Sequence, residues 1–131
     1  MKLQRIIPEL IVADVGKSIQ FYVDILAFEV REVAPSMENP SWAQLVAGTT
    51  PLMLQERASV LDEIPILRSR SGPGSGILVF AVESRETARV LHLQIKDRAN
   101  EVSSLLETEY GSTEFTLTDP DGYILLISGK D

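Results

Sequence analysis

The chain has 131 residues, 44% hydrophobic and 24% charged, globular proportions that exclude wholesale disorder. Twelve Lys and Arg against nineteen Asp and Glu give a formal charge of −7 and a pI near 4.7. That balance argues against nucleic acid as a partner, because its binding needs a basic face to displace phosphate counterions. Cysteine is absent and His92 is the sole histidine, so disulfides, thiolate chemistry and two-His zinc motifs cannot be built within one chain. No apolar run approaches the ~20 residues that span a bilayer. Residues 1–5 lack the apolar stretch of a secretory signal. The expectation is a cytoplasmic, soluble protein of one domain.

Residues 6–13 are apolar and rich in β-branched members, which predicts a strand. Asp14 stands where an N-cap belongs, and Ile19, Tyr22, Ile25 and Leu26 then fall on one helical face. Residues 27–33 return as a strand, Pro35 and Pro40 bracket a loop, and residues 42–47 and 52–55 form a hairpin around Gly48. Residues 58–75 hold Pro65, Pro73, Gly72, Gly74 and four serines, and their end, residues 68–75, reads as a mobile connector. Arg68 and Arg70 in it are solvated linker residues or a flap that clamps an anion.

Residues 76–83 predict a strand and Ser84 a second N-cap, followed by a helix over about 85–98 with Ala88, Leu91 and Ile95 on one stripe. Strands follow at 102–108, 113–118 and 123–127. The last two are joined by Asp119-Pro120-Asp121-Gly122, in which Pro sets φ and Gly takes the left-handed position. The order β-α-β-β-β thus occurs twice. At an offset of 70, Ile7 meets Ile77 and Leu10 meets Phe80; at 71, Leu54 meets Leu125 and Gln55 meets Leu126. The fold class is α+β, with module one at 1–57, a linker at 58–75 and module two at 76–131.

The run Pro8-Glu9-Leu10-Ile11-Val12-Ala13-Asp14, then Ser18, Phe21-Tyr22 and Leu26-Ala27-Phe28-Glu29-Val30, resembles the opening of the vicinal oxygen chelate superfamily. So does the closing Phe115-Thr116-Leu117-Thr118-Asp119-Pro120-Asp121-Gly122. This is the glyoxalase, bleomycin-resistance and extradiol-dioxygenase group, and the resemblance covers nearly the whole chain apart from the linker. It implies two modules whose curled mixed sheets face a central cavity. It also implies, in metal-dependent members, four strand positions that supply His, Gln or Glu to one divalent ion. Carried onto this sequence those positions are Ile7, a residue within Leu52-Met53-Leu54-Gln55 (taken as Gln55), Ile77 and Leu126. Three offer no lone pair and Gln55 offers one neutral carbonyl, so neither a metal nor another cofactor is expected.

The resemblance is nearest to metal-free, antibiotic-sequestering members, in Trp42-Ala43-Gln44-Leu45, Gly48, Leu52-Met53-Leu54 and in acidic charge. It implies a small organic ligand, aromatic or cationic, held by a homodimer. Phe21, Tyr22, Phe28 and Phe80 read as core, which leaves Trp42, Tyr110, Phe115 and Tyr123 as candidate stacking faces. Glu9, Glu56 and Glu114 are candidate counter-charges, and Gln55 a polar anchor above an apolar floor of Ile7, Ile77 and Leu126. Tyr110-Gly111-Ser112-Thr113-Glu114-Phe115 stands where relatives read Trp-Gly-x-Arg-Glu-Phe, and Thr113 in place of arginine argues against an anionic head group. No residue is assigned as catalytic. Three classes stay open: a metal-free binding protein, a glyoxalase-type lyase or isomerase (metal-dependent, or with a glutamate base such as Glu9), and a structural dimer.

Overall fold

The computed structural model describes residues 1–70 and 76–131. The Ser71 to Ser75 part of the expected connector lies outside the described residues. The chain forms two compact units, Met1–Gly72 and Pro73–Asp131.

The first unit runs β1 (Glu9–Val12), α1 (Val15–Leu26), β2 (Glu29–Ala34), β3 (Trp42–Ala47), β4 (Thr50–Glu56) and α2 (Arg57–Glu63), then a 3-10 turn at Pro65–Ser69. Its sheet has the order β1-β4-β3-β2; β1 and β4 are parallel and the other pairs antiparallel. The second unit runs β5 (Ile77–Val82), α3 (Arg85–Ile95), β6 (Leu106–Glu107), β7 (Ser112–Thr118) and β8 (Ile124–Lys130). Its order, β5-β8-β7-β6, has the same parallel and antiparallel pattern. Two four-stranded mixed sheets with helices give the expected α+β class and the duplicated β-α-β-β-β plan.

Both helices start where the caps predict. The Asp14 carboxylate accepts from the Lys17 N–H at 3.0 Å, and the Ser84 hydroxyl from the Thr87 N–H at 3.0 Å. The helix α1 ends on Ala27 in the left-handed region (φ 57°), where the Ala27 and Phe28 N–H groups donate to the Val23 and Tyr22 carbonyls. In the first unit, Leu10, Val12, Ala43, Leu45, Leu52 and Leu54 are buried together with Val15, Ile19 and Tyr22 of α1. Tyr22 meets Phe21 and Phe28 edge to face at 5.1 and 5.7 Å. In the second, Phe115, Leu117, Leu125 and Ile127 are buried with Ala88 and Ile95 of α3.

The Asp119–Gly122 turn forms as predicted. Gly122 lies at φ 89° with its N–H on the Asp119 carbonyl, and the buried Asp119 carboxylate accepts from the Asp121 and Tyr123 N–H groups at 2.9 and 3.0 Å.

Several elements differ from the sequence reading. The strand expected over 6–13 forms only over Glu9–Val12, and the last strand runs on to Lys130 instead of ending at 127. Within the expected linker, α2 and the 3-10 turn follow directly on β4, with Val60 buried. Arg57-Ala58-Ser59-Val60-Leu61-Asp62-Glu63 contains no Gly or Pro, and its helix propensity prevails over the composition further along. Arg68 and Arg70 belong to this ordered stretch: Arg68 lies 3.8 Å from Asp62, and the Arg57 guanidinium donates to the Arg70 carbonyl. The strand expected over 102–108 shrinks to Leu106–Glu107. The Ser103 hydroxyl takes the Thr116 N–H that a regular ladder would give to a carbonyl. Finally, α3 stops at Ile95, three residues short of Arg98.

Candidate functional site

Each sheet has one face beneath its helix and one opposite. In the second unit the contact of Phe115 with His92 of α3, at 5.0 Å between ring centroids, fixes which face is which. Phe115, 2% exposed, therefore belongs to the helix-covered core and not to a ligand face. His92 also bonds the Ser103 carbonyl through Nε2 at 2.9 Å, a packing role. Thr113 points to the same side, donating to Glu107 at 2.5 Å, and Arg89 of α3 holds that carboxylate at 3.1 Å.

On the opposite face of the first sheet the register makes two rows. Ile11, Gln55 and Trp42 align across β1, β4 and β3, and Glu9, Met53 and Gln44 form the next row. Trp42 and Gln55 are thus cross-strand neighbours, as a stacking face beside an amide requires. Gln55 is 4% exposed, and its Nε2 donates to Ser59 of α2 at 3.0 Å, which ties it down. Glu9 is exposed at the start of β1, and Ile7 lies two residues earlier, outside the strand.

The second sheet's opposite face has three rows: Ile77 with Ile124 and Thr118, Val79 with Leu126 and Thr116, and Ala81 with Ser128 and Glu114. Ile77 and Val79 remain 56% and 58% exposed. Tyr110, in the turn between β6 and β7, is exposed and donates its hydroxyl to Glu114 at 3.3 Å. Sequence reasoning gave Glu114 only a counter-charge role. The hydroxyl-rich spacing Ser112-x-Glu114 with Ser128 on the neighbouring strand was the signal that it is held in place.

The paired registers correct one assignment. Asp14 and Ser84 cap equivalent helices 70 residues apart, so Glu9 corresponds to Val79. Glu9 aligns with Met53, and Val79 with Leu126. The counterpart of Leu126 in the first unit is therefore Met53, while Gln55 corresponds to Ser128. With the fourth metal position kept at Leu126, the resemblance implies Ile7, Met53, Ile77 and Leu126 as the set: three aliphatic side chains and a weakly accepting thioether. That set does not fit a divalent ion, which takes several N or O donors. Among the described residues no group of three His, Cys, Asp or Glu gathers closely enough to hold one.

The model of the glyoxalase/bleomycin resistance protein/dioxygenase superfamily matches residues 2–127. No curated protein matches the sequence. Among solved structures, the bleomycin-binding protein of bleomycin-producing Streptomyces verticillus, complexed with copper(II)-bleomycin, superposes with a TM-score of 0.65 at 18% identity, covering 100% of this chain and 99% of that one. TioX from Micromonospora sp. ML1 gives 0.77 at 15% identity, covering 98% and 99%. A lactoylglutathione lyase from Agrobacterium tumefaciens gives 0.74 at 16% identity, covering 95% and 92%. At these identities the likeness is one of fold.

Proposed function

Because the chain belongs to the glyoxalase/bleomycin resistance protein/dioxygenase superfamily, we propose that it binds a small organic ligand by affinity alone, as an antibiotic-sequestering protein does, without metal or other cofactor. The observation that carries this reading is the apolar character of Ile7, Met53, Ile77 and Leu126, where metal-dependent relatives place donors. In each unit, an apolar sheet face with a few polar groups beside it suits an organic ligand. Trp42 offers a stacking face, Gln55 an anchored amide, Tyr110 an exposed ring and Glu9 a counter-charge. The working form in this reading is a cytoplasmic homodimer, the edge strands β1, β2, β5 and β6 giving a symmetric partner hydrogen-bonding groups to cover.

The test is calorimetric titration, in EDTA, of metal-free bleomycin and a panel of cationic aromatic antibiotics. Binding in EDTA is the expected result, with Trp42→Ala weakening affinity more than Gln55→Ala. Stacking on one ring is worth ~0.5–1.5 kcal/mol beyond buried area, so Trp42→Ala should cost roughly tenfold without abolishing binding. Binding only after Zn²⁺, Ni²⁺ or Mn²⁺ is restored, or metal-dependent turnover of lactoylglutathione, would establish the glyoxalase-type alternative instead.

A further inference from the structure

We propose that Glu114 and Tyr110 form an anchor for an organic ammonium group whose apolar body lies along Val79, Leu126 and Ile77. The inference rests on the ligand-binding reading above and adds the chemistry of the ligand's head group.

The Glu114 carboxylate is positioned by three hydroxyls. Ser112 and Ser128 both donate to Oε2 at 2.9 Å, and Tyr110 donates to Oε1 at 3.3 Å. Ser112 is itself held by Thr108, 2.7 Å away between hydroxyl oxygens. An ionised carboxylate has about four lone-pair sites, so these donors leave room for one more on Oε1. All three donors are neutral, and among the described residues no ion pair reaches Glu114. A negative charge fixed in orientation, and not neutralised, is preorganised for an incoming cation.

A cation of the chain itself already stands beside this place. Lys130 stands opposite Ser112 in the register, and its Nζ lies 5.9 Å from the centroid of the Tyr110 ring, within reach of a cation–π attraction. The ammonium therefore rests on the tyrosine whose hydroxyl holds Glu114. A ligand ammonium that displaced it would gain the same ring and the carboxylate as well. From Glu114 the rows of this face step to Leu126 and Val79, then to Ile124 and Ile77, at about 6.6–6.8 Å per two residues. An arylalkyl ammonium bridges the first of those steps.

The experiment is an NMR titration of the ¹⁵N-labelled full chain with two matched probes, 2-phenylethylammonium and neutral 2-phenylethanol. The ammonium should bind at least threefold more tightly, shifting the amides of Val79, Leu126 and Glu114. Glu114→Gln should remove that preference and leave the affinity for 2-phenylethanol unchanged. Lys130→Met should raise the affinity for the ammonium at least twofold, because it removes the internal competitor. Equal affinities in the parent protein, or a preference that survives Glu114→Gln, would overturn the anchor while leaving the binding face intact. If neither probe moves these amides, the anchor and this face of the ligand-binding reading both fall. Should Glu114→Gln fail to fold, the absence of any gain in Lys130→Met overturns the anchor on its own.

Discussion

Gly129 lies in β8, between Val82 of β5 and Thr113 of β7, on the face beneath α3. A Cβ added there would stand 2.1 Å from the Ser84 carbonyl oxygen, 2.8 Å from its carbon and 3.1 Å from the Ala88 Cβ. Ordinary contact begins at 3.4 Å, so the start of α3 would have to retreat by about 1.3 Å. The obstacle is backbone, and it is committed: the Ser84 carbonyl accepts the Ala88 N–H, and the Ser84 hydroxyl caps the helix. Overpacking costs ~1–3 kcal/mol and a disturbed N-cap ~1 kcal/mol, so Gly129→Ala should destabilise the protein by about 3 kcal/mol. For a chain of this length that corresponds to a fall in Tm of roughly 10 °C. Thermal and urea unfolding followed by far-UV circular dichroism would measure it, with Gly76→Ala as control, since nothing lies within 4 Å of a Cβ there. Without the clash, Gly→Ala stabilises by ~0.4–1 kcal/mol through the unfolded chain. A Gly129→Ala protein within 1 kcal/mol of the parent would therefore refute the close approach of β8 to α3.

Ala27 ends α1 in the left-handed region, which costs a non-glycine residue ~1–2 kcal/mol. Set against the greater unfolded-state freedom of glycine, Ala27→Gly should raise stability by about 0.5–1 kcal/mol in urea unfolding. The Thr113 hydroxyl, and then Arg89, hold Glu107 below its ordinary value of 4.5. A carboxylate depressed in the folded state adds stability that is present above its unfolded value and lost as pH falls through the folded one. Glu107→Gln should therefore be less stable than the parent at pH 7, with the gap closing below about pH 4, as unfolding at a series of pH values would show.

The parts of the fold legible in the sequence were those set by local chemistry. Asp14 and Ser84 marked the helix starts, Asp119-Pro120-Asp121-Gly122 marked its turn, and the duplicated element order showed two like halves. The register between the halves was not legible. Side chains on a strand repeat every two residues, so sliding β8 by two against β4 keeps each residue on its own face and leaves the hydrophobic pattern unchanged. Such a slip set Gln55 against Leu126, when the strand pairing sets Met53 there. Phe115 was misassigned for a related reason. Position along a strand tells that neighbours alternate, but the choice of face came from His92 in a helix over twenty residues away in sequence. The Trp42–Gln55 pairing was reachable from hairpin geometry alone, whereas the hydroxyls around Glu114 come from β7, β8 and the turn before β7 and converge only in the folded sheet.

Each sheet draws all four of its strands from its own half of the chain, and its parallel pair joins the first of those strands to the last. During synthesis this sets an order of events. The four strands of the first sheet are all available once Glu56 has left the ribosome, before β8 emerges. At ~5–20 residues per second, the second half then takes seconds to appear, ample time for a small mixed sheet to form. The second sheet must wait for β8 (Ile124–Lys130), so β5 is without its parallel partner until that strand too has emerged. The apolar run Ile77-Leu78-Val79-Phe80-Ala81-Val82 thus waits unpaired on the nascent chain, which makes β5 a segment that a ribosome-associated chaperone would be expected to shield.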